Sequence, residues 1–224
     1  MRLVLTFAAT AALAFGSAAH AGTVVNVDFQ NPTDPTYTGA GAAPSAGTYW
    51  NDVGLSGASN LRADSGSTVT GIGVTLNNYQ GYFTWSGAVA LTASRLYGPS
   101  SGTASVTISG LAGGQNYDIY AYSSFWQTAY SITGYGSQTV TPTNLTNSWV
   151  AGNQYVEFAS VAASSSGTIT LVDTASGSSQ WTVIAGLQIV ANDATSIPEP
   201  TSVALLGSAL VGFRTVRRKR PASR

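Results

Sequence analysis

The chain has 224 residues, nine Lys or Arg against nine Asp or Glu, no cysteine and one histidine, His20; this is room for one domain of ordinary size. With His20 near the start and the only lysine, Lys219, near the end, the body between them has no thiol or Ser-His-Asp nucleophile, no imidazole or thiolate metal site and no Schiff-base lysine. The formal net charge of zero hides a split: between Gly22 and Ser196 only Arg62 and Arg95 face Asp28, Asp34, Asp52, Asp64, Asp118, Glu157, Asp173 and Asp193, a balance that excludes nucleic acid as a partner.

Met1-Arg2 supplies a positive end, Leu3 to Phe15 an apolar run, and Ala19-His20-Ala21 a small-x-small cleavage pattern. Residues 1–21 therefore read as a helical secretory signal peptide. From 22 to 191 short period-two runs alternate with Gly, Ser, Asn and Asp, which predicts an all-β domain. Val25, Val27 and Phe29 share one strand face; Ile72, Val74 and Leu76 share another. Asn31 to Ser67, rich in Pro, Gly and Ala, is expected to form long loops across one end of the fold. Val106 and Ile108 precede a Gly-rich turn at 110–115, and Asn116 to Tyr122 returns as a strand, so 103–123 reads as a hairpin. Runs at 154–158, 168–172 and 181–190 complete about eight to ten strands, the pattern of a β-sandwich.

Residues 192–197 form a polar linker, and the composition then breaks. Pro198-Glu199-Pro200 cannot continue a helix. Thr201 to Phe213 carries no charge and as a helix would span about 20 Å, against about 30 Å for a bilayer core. Arg214, Arg217, Arg218, Lys219 and Arg220 follow directly, and such a cluster holds its end on the cytoplasmic side. This tripartite end, 198–220, resembles the PEP-CTERM sorting signal of Gram-negative bacteria: Pro198, Glu199 and Pro200 match the motif, 201–213 the apolar helix and 214–220 the basic end. The resemblance implies transient anchoring in the inner membrane, recognition and cleavage by an exosortase-like enzyme, and delivery to the cell surface or extracellular matrix. An ordinary tail anchor with a basic stop is the alternative.

The turn residues Gly110, Leu111, Gly114 and Tyr117, with the run Ile184 to Ile189, resemble the jelly-roll domains of galactose-binding and malectin-like modules over residues 23–190. That resemblance implies a sandwich in a fold group containing carbohydrate binders and structural modules alike. All eleven tyrosines and five tryptophans lie in the body, and aromatic faces stack on sugar C–H groups. Candidate polysaccharide contacts are the aromatics in loop-like surroundings: Tyr49 and Trp50 with Asp52, then Trp85, then Phe125-Trp126-Gln127. Trp149 and Trp181 read as core. No catalytic residue and no cofactor is assigned. Carboxylates are the remaining catalytic groups, but no spacing singles out a hydrolase pair. Asp28, Asp34, Asp52 and Asp64 could offer oxygens to a structural calcium, though without EF-hand spacing. The expected function is non-enzymatic and exported, with polysaccharide contact through exposed aromatics; a structural or adhesive matrix protein without a specific ligand is the alternative, and a carboxylate-dependent glycoside hydrolase a third.

Overall fold

The computed structural model describes residues 23–192, apart from 45, 86–89, 144–148 and 178. The signal peptide expected at 1–21 and the sorting tail at 198–220 lie outside the described residues. Within them the order is β1 (Val24–Phe29), β2 (Asn51–Val53), β3 (Gly73–Asn77), β4 (Gly81–Thr84), a single-turn helix α1 (Ala90–Ala93), β5 (Ser94–Tyr97), β6 (Thr103–Ser109) and β7 (Asn116–Tyr122). It continues with β8 (Thr128–Ile132), β9 (Gly136–Val140), β10 (Tyr155–Ala162), β11 (Ile169–Ala175), β12 (Val183–Ile184) and β13 (Gly186–Ala191). The fold is all β, as the alternation predicts. No helix among the described residues is long and apolar enough to cross a membrane.

Two five-stranded sheets, ordered β10-β7-β13-β1-β2 and β3-β6-β11-β8-β9, form the sandwich. Their inward residues meet in one core that joins Val25, Val27, Ile119 and Leu187 of the first sheet to Val106, Ile108, Ile132 and Leu171 of the second. A third, smaller sheet, β12-β5-β4, lies beside them. The run 181–190 is split between sheets: Val183 and Ile184 pair with β5, whereas Gly186 to Ala191 pairs with β1 and β7.

The expected hairpin at 103–123 does not form. β6 pairs with β3 and β11, and β7 with β10 and β13, so each already has two partners and the 110–115 turn is a corner between the two sheets. Period-two patterning fixes which face a strand buries, not which strand lies next to it. Gly110 makes the corner: its φ is +73°, and a Cβ there would stand 2.2 Å from the carbonyl oxygen of Gly71. Leu111 is buried under the turn, and the Ala112 N–H donates to the Tyr117 hydroxyl at 2.9 Å.

The stretch after β1 also departs from expectation. Instead of crossing one end, the described residues between 37 and 50 pack on the outer face of the first sheet. Tyr37, Ala43 and Trp50 pack there with Tyr120, Tyr122 and Ala185 in a second cluster. Irregular backbone needs hydrogen-bond partners when buried, and β1 and β13 supply them: the Ala43 N–H donates to Gln188 Oε1 at 2.9 Å, the Tyr37 N–H to Asp28 Oδ2 at 3.0 Å, and Asn26 Nδ2 to the Tyr49 carbonyl at 2.9 Å. Gln188 Nε2 donates to Asn26 Oδ1 at 2.7 Å, linking the two strands' side chains. Every residue of β1 is therefore buried. Asn192 still belongs to the domain, its amide donating to Asp118 Oδ1 at 2.9 Å.

Candidate aromatic shelf and its arginine

Three chain segments converge beside the small sheet. β4 runs into Trp85, whose N–H donates to the Ala93 carbonyl at 2.7 Å and so extends the pairing with β5 by a step. On that pair Phe83 stands opposite Arg95. The third segment, 123–127, leaves the end of β7 and carries Phe125 and Trp126. The Trp126 N–H bonds back to the Ser124 carbonyl at 2.8 Å, and the Ser123 hydroxyl donates to the Trp126 carbonyl at 3.1 Å.

The rings form a continuous shelf. Trp85 stacks on Phe125 with centroids 4.8 Å apart; Trp126 meets Phe125 edge-on at 5.2 Å and Phe83 at 5.3 Å; Phe83 and Trp85 are 6.4 Å apart. Phe83, Trp85 and Phe125 are 37, 41 and 44 % exposed, and Trp126 is half-buried. Pairs of this kind are each worth about 0.5–1.5 kcal/mol. Phe125 adds a cost of its own, because its φ of +68° puts a bulky side chain in the left-handed region, at roughly 1–3 kcal/mol. A strained backbone that holds a phenyl ring in water stabilises nothing in the fold by itself. Grouped exposed rings of this sort mark interaction surfaces.

Beneath the rings lies Arg95, with no exposed surface. Its guanidinium carbon is 4.5 Å from the Phe83 centroid, 4.9 Å from that of Trp126 and 5.7 Å from that of Phe125. Nη1 donates to the Ser124 hydroxyl at 2.9 Å and to the Thr92 carbonyl at 3.2 Å; among the described residues Nε and Nη2 have no hydrogen-bond partner. Burial lowers the Arg95 pKa to about 10, which leaves it a cation at neutral pH. Neither of its acceptors is a carboxylate. Taking such a charge out of water costs several kcal/mol, which cation–π contacts of about 0.5–2 kcal/mol each offset only in part.

The structure thus brings together three of the sequence candidates, Trp85, Phe125 and Trp126, and adds Phe83 and Arg95. It separates the others. Trp50, expected as a loop aromatic open to ligand, is 2 % exposed: its indole N–H donates to the Gly39 carbonyl at 2.9 Å, and it packs edge-on against Tyr37 and Tyr122. Tyr49 is 38 % exposed and lies against Gly66, where a Cβ would come 2.7 Å from its ring. Asp52 is exposed on β2 and accepts from the Thr36 hydroxyl at 2.6 Å. Trp149 and Trp181, expected in the core, are half-buried. Sequence reasoning misses Phe83 and Arg95, which sit in runs of four residues, 81–84 and 94–97, too short to show a strand period.

The calcium expectation finds no support. Among the described residues no three carboxylates are placed to hold a metal. Asp34 Oδ2 accepts from the Thr84 hydroxyl at 2.7 Å and Asp64 Oδ2 from the Gly47 N–H at 2.6 Å, so these aspartates are engaged in bracing turns and strand ends.

The sandwich is followed by a C-terminal sorting signal. Residues 196–220 match the PEP-CTERM protein-sorting motif, which covers the Pro-Glu-Pro, the apolar run and the basic cluster. The motif marks the chain for export, transient membrane anchoring and recognition by an exosortase, a membrane processing enzyme. No curated protein matches this chain.

Proposed function

We propose that this is a non-enzymatic protein of the Gram-negative cell surface or extracellular matrix, exported by the signal peptide at 1–21 and holding polysaccharide on the shelf of Phe83, Trp85, Phe125 and Trp126. The observation that carries the reading is the exposure of three rings gathered from separate segments of chain, Phe83 and Trp85 on and after β4 and Phe125 on a strained turn. Their apolar faces suit the C–H faces of pyranose rings, and their open side suits a long ligand that passes over the surface. Tyr49 and Asp52 have no part in it.

The test is retention on immobilised polysaccharides from an exopolysaccharide-producing bacterium, with Trp85→Ala and Phe125→Ala beside the unaltered protein. Both rings are exposed, so the variants should keep the near-ultraviolet signature of the core while losing most of the retention. Unchanged retention in both variants would leave a structural or adhesive matrix protein without a ligand at this site. Release of sugar fragments, abolished by one carboxylate-to-amide change, would instead make it a hydrolase.

A further inference from the structure

We propose that the polysaccharide on this shelf is acidic, and that its sugar carboxylates are bound by the guanidinium of Arg95 while the sugar rings lie on Trp85. The inference rests on the reading above and adds the charge of the ligand. A cation kept without exposed surface, with Nε and Nη2 lacking acceptors, is a donor set awaiting an anion. Those two nitrogens form the side of the guanidinium that receives a carboxylate through two parallel hydrogen bonds. Nη1 is already committed to Ser124 and Thr92, which fixes the plane of the group from behind.

Access runs through the turn at 123–127. Phe125 is the most exposed ring of the shelf and the one on strained backbone. Rotation of the Phe125 side chain, whose ring is the farthest of the three from the guanidinium carbon at 5.7 Å, opens the path to Nε and Nη2. Charge also favours this face. Along β4 successive side chains alternate, so Thr84, which holds Asp34, points away from the side that carries Phe83 and Arg95. The remaining cation of the domain, Arg62, is spent elsewhere, donating to the Gly66 carbonyl at 2.9 Å.

The experiment titrates the full chain with oligogalacturonate and with the same oligomer as its methyl ester, following tryptophan fluorescence. Esterification keeps the sugar faces and removes the charge. The acid should bind about tenfold more tightly than the ester, and the difference should shrink in high salt. Arg95→Gln should bind acid and ester alike, at the level of the ester on the unaltered protein, and Arg95→Lys should restore part of the preference. Equal binding of acid and ester by the unaltered protein overturns the inference; if Trp85→Ala then abolishes both, the polysaccharide reading stands without it. Failure of both oligomers to bind overturns the inference together with its use of these sugars. Should Arg95→Gln unfold, the comparison of acid with ester on the unaltered protein decides alone.

Discussion

Asp28 and Asp173 are buried carboxyls whose described hydrogen bonds come from neutral donors. Asp28 Oδ2 accepts from the Tyr37 N–H, Asp173 Oδ2 from the Tyr79 hydroxyl at 2.8 Å, and among the described residues the second oxygen of each has no partner. Burial raises both pKa values from 3.8 to about 7, with Asp52 and Asp34 adding to the rise at Asp28. The folded state therefore holds these protons between about pH 4 and 7, where the unfolded chain has lost them. Their contribution to stability is full below pH 4 and lost as pH rises through 7, at roughly 1.4 kcal/mol per carboxyl for each pH unit of that window. Tm should be higher at pH 5 than at pH 8, and Asp28→Asn or Asp173→Asn should flatten the slope. An unaltered protein that gains stability from pH 5 to 8 would refute this. Trp50 belongs to the same scale. Trp50→Ala removes a buried indole and its bond to Gly39, so the expected loss is about 3–5 kcal/mol in denaturant unfolding, whereas Trp85→Ala should cost far less. An aromatic in a loop-rich stretch looks the same in sequence whether the loop stands in water or lies on a sheet, so sequence alone does not distinguish the buried Trp50 from an open ring.

Strands were legible where alternation is clean. The runs around Val25 to Phe29, Val106 to Ile108 and Asn116 to Tyr122 became β1, β6 and β7 with bounds within a residue or two. β4 and β5 were missed because Gly81-Tyr-Phe-Thr84 and Ser94-Arg-Leu-Tyr97 are four residues each and carry a Gly and an Arg where a longer strand would show a period. The pair β8 and β9 was missed too, although the Thr133-Gly134-Tyr135 turn between them is a hairpin signal. Partnering was not legible, and the corner at Gly110 shows why: a Gly-rich link of six residues can reverse a chain within a sheet or carry it across to another. Gly110→Ala tests the corner, because both the positive φ and the carbonyl of Gly71 oppose a side chain. The expected cost exceeds the usual 1 kcal/mol of a strained glycine replacement, read as a lower denaturation midpoint. Gly134→Ala, with φ +86° but open space around it, should cost only the conformational part.

At the scale of the molecule, the two halves of the sequence were unequally readable. The tail is a local signal whose three parts follow one another, so position alone identifies it. The shelf is built from residues up to 43 positions apart in the chain, Phe83 to Trp126, and exists only after β4, β5 and β7 have assembled. Trp85 and Trp126 could be proposed singly, but their meeting over Arg95 could not. The tail makes its own prediction. Intact-mass analysis should find the released protein shortened at or near Pro198-Glu199-Pro200, and replacement of those three residues by Ala should keep full-length chains in the membrane fraction. A released form that retains Arg217 to Arg220 would contradict processing.

The pairing of the first and last strands has a geometric outcome. Val24 lies opposite Val190, and the Ala191 N–H donates to the Thr23 carbonyl at 2.9 Å, so both ends of the domain leave from one pole. β7 runs antiparallel to β13 with Tyr117 opposite Ala191 and Tyr122 opposite Gly186, which puts the turn bearing Phe125 and Trp126 at the other pole, about 17 Å along the sheet at ~3.4 Å per residue. The tail thus departs from the pole opposite the aromatic shelf, so a tether at that end leaves the shelf uncovered.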